Sequence, residues 1–165
     1  RVLEYQHHKP GRGNATIRTK LRNLRTRGTL DRNFISGDRV QDVKLDHRTV
    51  QYLYNEGNLY YFMDMDTYEQ PAISDETLGD AVKYLKAETM IEVLFNGGEP
   101  LDIELPVTVE LEVTKTQPGL RGDTATGATK GATLETGLVV QVPLFVEEGN
   151  VIRVDTRTGE YLTRV

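Results

Sequence analysis

The sequence predicts an all-β protein built from three small modules, and three observations lead to this prediction. Short segments in which apolar and polar residues alternate recur along the whole chain, separated by turns rich in Gly, Pro, Asn and Asp. Helical spacing of apolar residues is convincing at one place only, after Ser74. The balance of charge changes twice along the 165 residues, which are enough for two or three small domains. We place these domains at residues 1–44, 45–106 and 107–165.

Charge is distributed unevenly, although the net charge is only −5. Residues 1–48 contain 12 Lys and Arg against 5 Asp and Glu, whereas residues 49–108 contain 2 against 12. Residues 109–165 are closer to neutral, with 6 against 8. Such asymmetry indicates modules with different surfaces, and the basic module favours a phosphate-rich partner over the alternative of a solvated basic face.

The first module is predicted to be a small, antiparallel, basic barrel. Strand patterns cover residues 1–6, 15–22, 29–35 and 40–45. Because Arg1 already lies within the first of these patterns, we expect that an N-terminal segment precedes the sequence.

The turn between the first two strands carries a long cation at its tip. It consists of Lys9, Pro10, Gly11, Arg12, Gly13 and Asn14. Because proline fixes φ and glycine tolerates positive φ, this turn can be tight without strain. The local sequence leaves two interpretations open: a solvated hairpin tip, and an arginine presented to an anionic partner.

The middle module is predicted to contain strands and a helix. Strand patterns cover residues 50–54, 59–63, 68–73, 89–95 and 101–105, and Pro71 confines the third of them to an edge or an end. Ser74 offers an N-cap oxygen, and apolar residues follow it at helical spacing: Leu78, Ala81, Val82 and Leu85. Tyrosines of this module could stack on bases, but its acidity favours packing within the protein for Tyr52, Tyr54, Tyr60 and Tyr61.

The third module is predicted to be a Greek-key barrel of the OB type. Strand patterns cover residues 107–114, 132–136, 138–142, 151–155 and 160–164, and a Gly- and Thr-rich loop spans residues 117–131. This loop does not match a P-loop, because Ala128 follows Gly127 where lysine is required. Its backbone N–H groups and hydroxyls suit contacts with phosphates or bases.

The residue pattern gives no support for catalytic or metal chemistry. The chain has no cysteine, and the adjacent His7 and His8 point to opposite faces of a strand, which is poor geometry for one metal ion. Carboxylates are plentiful, but none lies in a motif that marks a general acid. We therefore expect no enzyme, no cofactor and no metal. No apolar run is long enough to span a bilayer, and we expect a cytoplasmic protein.

Three groups of motifs resemble the elongation factor P family of bacteria. They are Lys9-Pro10-Gly11-Arg12-Gly13 after a strand, Tyr52-Leu53-Tyr54 followed by Phe62-Met63-Asp64, and a long C-terminal run from Gly122-Asp123-Thr124 to Gly159-Glu160-Tyr161. The similarity covers essentially the whole chain, and the start of the family's first domain is absent from the sequence. It implies a KOW/SH3-like barrel followed by two OB-fold barrels, in an L shape similar to a transfer RNA.

The resemblance also implies a role in translation that is not enzymatic. Members bind the 70S ribosome between the peptidyl and exit sites and promote peptide-bond formation at consecutive prolines. Arg12 would be the functional tip and a candidate modification site, which adds a modifying enzyme as a candidate partner. The loop facing the acceptor end of peptidyl-tRNA would comprise Lys9, Pro10, Gly11, Gly13 and Asn14.

Two further sets of site residues follow from the resemblance. Gly122, Asp123 and Thr124 would face the exit-site codon, and Tyr161 and Arg164 would lie near the small subunit with its ribosomal RNA. The alternative function is that of a general single-stranded RNA-binding OB-fold protein, which would bind free RNA by sequence-tolerant stacking.

Overall fold

The computed structural model of this chain describes residues 1–119 and 127–165. Within these ranges the fold consists of one three-stranded and two five-stranded antiparallel sheets, with one short α-helix and one 3₁₀ helix. The all-β class predicted from the sequence is therefore confirmed.

The first sheet carries the basic N-terminal segment. Its strands are β1 (Val2–His8), β2 (Thr16–Arg22) and β3 (Thr29–Ile35), and β2 lies in the middle. The strand predicted over residues 40–45 is wrong, because the backbone there forms no ladder. Its apolar residues Val40 and Val43 are 69% and 51% exposed and, unlike the equally exposed β1, the segment pairs with no strand in the described part of the chain.

The middle sheet has the strand order β6-β5-β4-β7-β8. These strands are β4 (Asp46–Glu56), β5 (Leu59–Asp64), β6 (Ala72–Ser74), β7 (Met90–Asn96) and β8 (Glu99–Glu104). The sheet closes over an apolar cluster in which Val50, Phe62, Ile73 and Val93 are almost completely buried. This cluster is the core of the middle module.

The predicted helix begins where expected but is shorter. Ser74 has extended dihedrals, and its Oγ accepts a 3.4 Å hydrogen bond from the Thr77 N–H, as an N-cap does. The α-helix, α1 (Asp75–Leu78), ends at Gly79, whose φ is +57°. The chain continues as the 3₁₀ helix Gly79–Tyr84, so the continuous helix predicted as far as Leu85 is wrong.

The third sheet has the strand order β11-β10-β9-β12-β13. These strands are β9 (Thr108–Thr116), β10 (Thr129–Leu134), β11 (Val139–Pro143), β12 (Val151–Asp155) and β13 (Tyr161–Arg164). All five predicted strands are present, and their inward residues Leu111, Val113, Leu134 and Ile152 are almost fully buried. Alternation identified these strands correctly because one face of the sheet is buried.

The middle and third modules share apolar and polar contacts. Tyr84 belongs to the middle module by sequence, but its side chain is buried in the apolar cluster of the third. Leu105 packs against both clusters. The Thr136 hydroxyl donates a 2.6 Å hydrogen bond to the carbonyl of Lys83, and the Thr156 hydroxyl donates another of 2.6 Å to the carbonyl of Pro106.

One six-residue turn occurs three times in the described part of the chain, once in each module. It spans residues 23–28, 64–69 and 155–160. In each copy the backbone N–H of the first residue donates to the carbonyl of the sixth, and the carbonyl of the first accepts from the N–H of the fifth, at 2.8–2.9 Å. The first side chain is an Asn or Asp whose oxygen accepts a hydrogen bond from the N–H of the third residue. We call this the six-residue turn below.

The fifth residue of the six-residue turn always has a left-handed backbone. Arg27, Tyr68 and Gly159 have φ values of +62°, +61° and +74°. Such a type I turn followed by a left-handed residue is a common hairpin connection. At Gly159 a Cβ atom would lie 3.2 Å from the Tyr84 hydroxyl, so glycine there also leaves space for this side chain of the middle module.

The Asp155 carboxylate gives a prediction about pH and stability. Hydrogen bonds from the side chain and backbone of Arg157 lower the pKa of Asp155 from 3.8 to about 2. This contribution to stability is present above pH 3.8 and is lost as the pH falls toward about 2. We expect Asp155→Asn to lower the free energy of unfolding at neutral pH and to flatten its decline through this acidic window. Urea unfolding followed by circular dichroism at a series of pH values measures both effects.

The matched control is Glu160→Gln in the same turn, because the Glu160 side chain is exposed. Asparagine is compatible with the first position, since Asn23 occupies it in the first module. If Asp155→Asn declines with acid as steeply as the parent protein, the assigned cause is wrong.

Candidate nucleic-acid interface

The loop that connects β1 to β2 is exposed from Lys9 to Asn14. All its predicted site residues, Lys9, Pro10, Gly11, Arg12, Gly13 and Asn14, are exposed. The Gly13 N–H donates a 3.1 Å hydrogen bond to the Pro10 carbonyl, which closes a turn with Gly11 and Arg12 at its centre. The guanidinium of Arg12 therefore extends into solvent from the most distant part of a tight turn.

The two loop glycines differ in the space around them. Neither Gly11 nor Gly13 has a positive φ, so the turn does not use the left-handed conformation that glycine tolerates. At Gly13 a Cβ atom would lie 3.1 Å from Cγ of Pro10, which is closer than most real contacts. At Gly11 a Cβ atom would meet nothing within 4 Å. A methyl group at position 13 would therefore require the Pro10 ring to shift by a few tenths of an ångström, whereas one at position 11 would not.

The two strands that flank the loop, β1 and β2, pair with each other up to the residues next to it. His8 pairs with Thr16, and the ladder continues without interruption through Gln6 paired with Arg18. The Thr19 hydroxyl on β2 donates a 2.7 Å hydrogen bond to the Arg32 carbonyl on β3. Thr19 is 6% exposed, so this bond lies in the buried part of the sheet. The loop is thus a short projection from a regular ladder.

The two cations of β2 that are nearest the loop, Arg18 and Lys20, differ in the charge of their ladder partners. Lys20 lies opposite Glu4 on one side and Asp31 on the other. Arg18, one pleat closer to the loop, lies opposite the uncharged Gln6 and Asn33. Because opposite charges across a ladder offset each other, the positive charge of Arg18 is less compensated by its ladder partners than that of Lys20.

The two remaining sets of predicted site residues belong to the third module. Gly122, Asp123 and Thr124 lie outside the described residues. Tyr161 and Arg164 are both on β13, an edge strand. Tyr161 is half-buried against the core of the third module, and the Arg164 guanidinium lies 5.3 Å from the ring centroid of Phe145. The structure thus places these two residues in a different module from Arg12.

Sequence reasoning missed the pairing of Phe145 with Arg164. Phe145 is 57% exposed, and a guanidinium over its face makes a cation–π contact. An exposed aromatic ring beside an arginine can receive a nucleic-acid base by stacking. No spacing in the sequence indicates this pair, since the two residues come from separate segments that meet only in the folded sheet.

The tyrosines of the middle module divide into two groups. Tyr52 is buried in the core, where desolvation and then the charge of Tyr60 raise its pKa, and Tyr60 packs against the same core. Tyr54 and Tyr61 instead stack on each other, with ring centroids 4.9 Å apart. Packing within the protein therefore accounts for all four, although Tyr54 remains 52% exposed.

Within the described residues, no group of three or more His, Asp or Glu side chains is arranged to hold a metal ion. His7 and His8 are both exposed on β1. In the same part of the chain, no helix has the length and apolar character needed to cross a membrane.

Family models match successive parts of the chain. The elongation factor P KOW-like domain matches residues 1–40, the elongation factor P OB domain matches residues 45–103, and the elongation factor P C-terminal domain matches residues 109–164. These matches and the three sheets define a translation factor composed of KOW-like and OB domains. The chain belongs to the elongation factor P family.

Relatives of known identity are similar over nearly the whole chain. Elongation factor P of Moorella thermoacetica is 55% identical over 163 residues, which are 99% of this chain and 88% of that protein. Elongation factor P of Ruminiclostridium cellulolyticum is 51% identical over 164 residues, with the same coverage. Among solved structures, translation initiation factor 5A of Methanococcus jannaschii matches with a TM-score of 0.48 and 19% identity, over 64% of this chain and 75% of that one.

The two loop glycines give a prediction about the conformation of the tip. We expect Gly13→Ala to open the turn, because its Cβ would press on the Pro10 ring, whereas Gly11→Ala has free space. A strain of about 0.5–1 kcal/mol corresponds to roughly two- to fivefold faster exchange of the amide at position 13. Amide hydrogen exchange measured by NMR reports this change directly.

Gly11→Ala is the matched control, since it adds the same methyl group two residues away. Equal exchange rates in the two variants would show that the contact with Pro10 does not shape the turn.

Proposed function

We propose that this protein binds the ribosome between the peptidyl and exit sites and promotes peptide-bond formation at consecutive prolines. In this proposal, the three modules form an L shape similar to a transfer RNA. The Arg12 loop approaches the acceptor end of peptidyl-tRNA. One observation carries the proposal: an exposed arginine at the tip of a tight turn, on the most basic module of a chain from the elongation factor P family.

The chemistry of arginine suits this role. Its guanidinium stays charged, offers a planar fork of donors to phosphate oxygens and can stack on a base. Prolyl substrates react slowly when their rigid geometry is poorly aligned. A factor that holds the acceptor end still lowers the entropic part of the barrier without acid–base chemistry. We therefore propose that the protein acts by positioning and is not an enzyme.

The affinity for the ribosome would come from many modest contacts with RNA. Each phosphate neutralised on a single strand contributes roughly −0.7 to the slope of log affinity against log salt. Arg18, which has uncharged partners across the ladder, is well placed to add to the contacts of Lys9 and Arg12. We propose that the protein acts in the cytoplasm, where its ribosomal partner is.

The remaining site residues keep the roles that the family suggests. We propose that Lys9, Pro10, Gly11, Gly13 and Asn14 present Arg12 to the transfer RNA. We propose contacts with the exit-site codon for Gly122, Asp123 and Thr124, and contacts with ribosomal RNA of the small subunit for Tyr161 and Arg164. Arg12 is accessible to a modifying enzyme, and the intact mass of the protein from its own host tests whether a group has been added.

We further propose domain boundaries at residues 1–44, 45–106 and 107–165. They are supported by the gaps between sheets, since β3 ends at Ile35 and β4 begins at Asp46. In the same way β8 ends at Glu104 and β9 begins at Thr108.

The central prediction concerns Arg12→Ala. A hydrogen bond to a charged group contributes about 1.5–3 kcal/mol, so we expect the rate of Pro-Pro bond formation to fall by roughly 10- to 100-fold. The thermal unfolding curve should not change, because the Arg12 side chain is exposed. A reconstituted translation reaction with a Pro-Pro-Pro message measures the rate at saturating factor.

The control variant is Arg25→Ala, which removes the same charge from another exposed position of the first module. Full activity of Arg12→Ala would rule out a mechanism that acts through the arginine tip.

A second candidate is a general single-stranded RNA-binding protein, and the exposed pair of Phe145 and Arg164 favours it. This function predicts a mobility shift with free single-stranded RNA that is lost in Phe145→Ala. Binding to ribosomes with no shift of free RNA would exclude it.

A further inference from the structure

Arg27 occupies the fifth position of the six-residue turn between β2 and β3, and its side chain reaches into the middle module. Its Nη2 donates hydrogen bonds of 2.9 Å to the Thr77 carbonyl and 3.1 Å to the Leu101 carbonyl. Its Nη1 lies 3.8 Å from Oδ1 of Asp102. One guanidinium thus joins the first module to three separate residues of the second.

Both carbonyl acceptors lie where backbone groups need partners from outside their own element. Thr77 is in the single turn of α1, and the last carbonyls of a helix have no partner within it. Leu101 is on β8, an edge strand of the middle sheet. Because the guanidinium is planar and offers donors at fixed angles, two such bonds determine an orientation as well as a distance.

Other ion pairs cross the same junction but fix it less firmly. Arg25 and Glu99 approach to 3.4 Å with side chains 61% and 55% exposed, and such surface pairs contribute little. Arg1 bonds to Asp102 at 2.9 Å, with its own side chain 56% exposed. The Arg27 side chain is only 27% exposed, so its contacts are better shielded from water.

Arg27 has a left-handed backbone, as the fifth residue does in every copy of the six-residue turn. Its φ of +62° is a conformation that residues with a Cβ rarely adopt. The same turn position in the third module is occupied by Gly159, which adopts this conformation without strain. Tyr68 adopts it in the second copy with a side chain that is 70% exposed, so the turn itself holds this backbone and the role of Arg27 is inferred from its side-chain contacts.

We propose that Arg27 is a positioning residue, which fixes the first sheet against the middle module and thereby sets where Arg12 lies. This inference rests on the function proposed above. The turn with Arg27 and the loop with Arg12 are at opposite ends of β2, a strand of 7 residues. At about 3.3 Å per residue this strand is a lever of roughly 20 Å, so a rotation of about 10° at Arg27 moves the tip by about 4 Å.

The test uses Arg27→Gly, because glycine preserves the left-handed turn and removes only the contacts. The chain has no cysteine, so a spin label can be placed at Lys20→Cys in the first sheet and another at Glu56→Cys in the middle one. Double electron–electron resonance then gives the distribution of distances between the modules. We expect this distribution to become at least twofold wider in Arg27→Gly.

Two controls separate this effect from general consequences of the substitution. Tyr68→Gly makes the same backbone change at the same position of the same turn, with a side chain that is 70% exposed. Arg25→Ala removes the same charge from the same junction. We expect both to keep the parent distribution, and we expect Arg27→Lys, whose ammonium cannot form a fork, to be intermediate.

The functional readout distinguishes this inference from the proposal on which it rests. We expect Arg27→Gly to lower the rate of Pro-Pro bond formation at saturating factor by about tenfold, since misplacement by a few ångströms is costly for a positioning factor. In Arg12→Ala we expect a loss of rate with an unchanged distance distribution.

An unchanged distribution in Arg27→Gly would overturn the positioning role, and so would a full rate in spite of a widened distribution. If Arg12→Ala kept its full rate, the proposed function would fail. The spectroscopic comparison would still decide whether Arg27 fixes the sheet.

Discussion

Burial of Tyr84 in the core of the third module is the contact on which the arrangement of the two five-stranded sheets depends. The side chain can reach that core because the chain turns from α-helix to 3₁₀ helix at Gly79. In a 3₁₀ helix residues three apart lie directly above one another, which puts Ala81 and Tyr84 on the same side, and both are buried. A regular α-helix would offset these two side chains by about 60° around the helix axis.

Most of the fold could be predicted from the sequence because each five-stranded sheet buries one face, so that alternation and burial coincide. Around Val40 and Val43 the same pattern gave a false strand, because this segment pairs with no strand in the described part of the chain. The six-residue turn was missed as a repeat. Its signal is an Asn or Asp followed three residues later by Thr, as in Asn23 and Thr26. The contacts of Arg27 could not be found in this way, because its partners Thr77 and Leu101 belong to another module.

The parts of the candidate site that could be predicted are those formed by residues close together in the sequence. The exposed loop with Arg12 at its tip follows from a Pro- and Gly-rich turn between two strands, whereas the steric role of Gly13 needed the position of the Pro10 ring. The distribution of charge predicted from the sequence differs most from the one in the folded molecule. Part of the excess positive charge of the first module faces the acidic middle module, through Arg25 with Glu99 and Arg27 with Asp102. These two cations are therefore partly compensated within the molecule, which leaves less of the positive charge of the first module available to an external polyanion.

The six-residue turn keeps its hydrogen bonds whether its fifth residue is arginine, tyrosine or glycine. In the first copy the side chain of the fifth residue, Arg27, contacts a neighbouring module. In the second copy the side chain of Tyr68 is exposed, and in the third Gly159 leaves space for the Tyr84 hydroxyl. Local folding of each hairpin is therefore separate from the stiffness of the joint beside it. A single codon change at this position can alter how rigidly two modules are joined while leaving every hairpin intact. The rigidity of the joint can therefore vary between descendants of one ancestral chain independently of the stability of each hairpin.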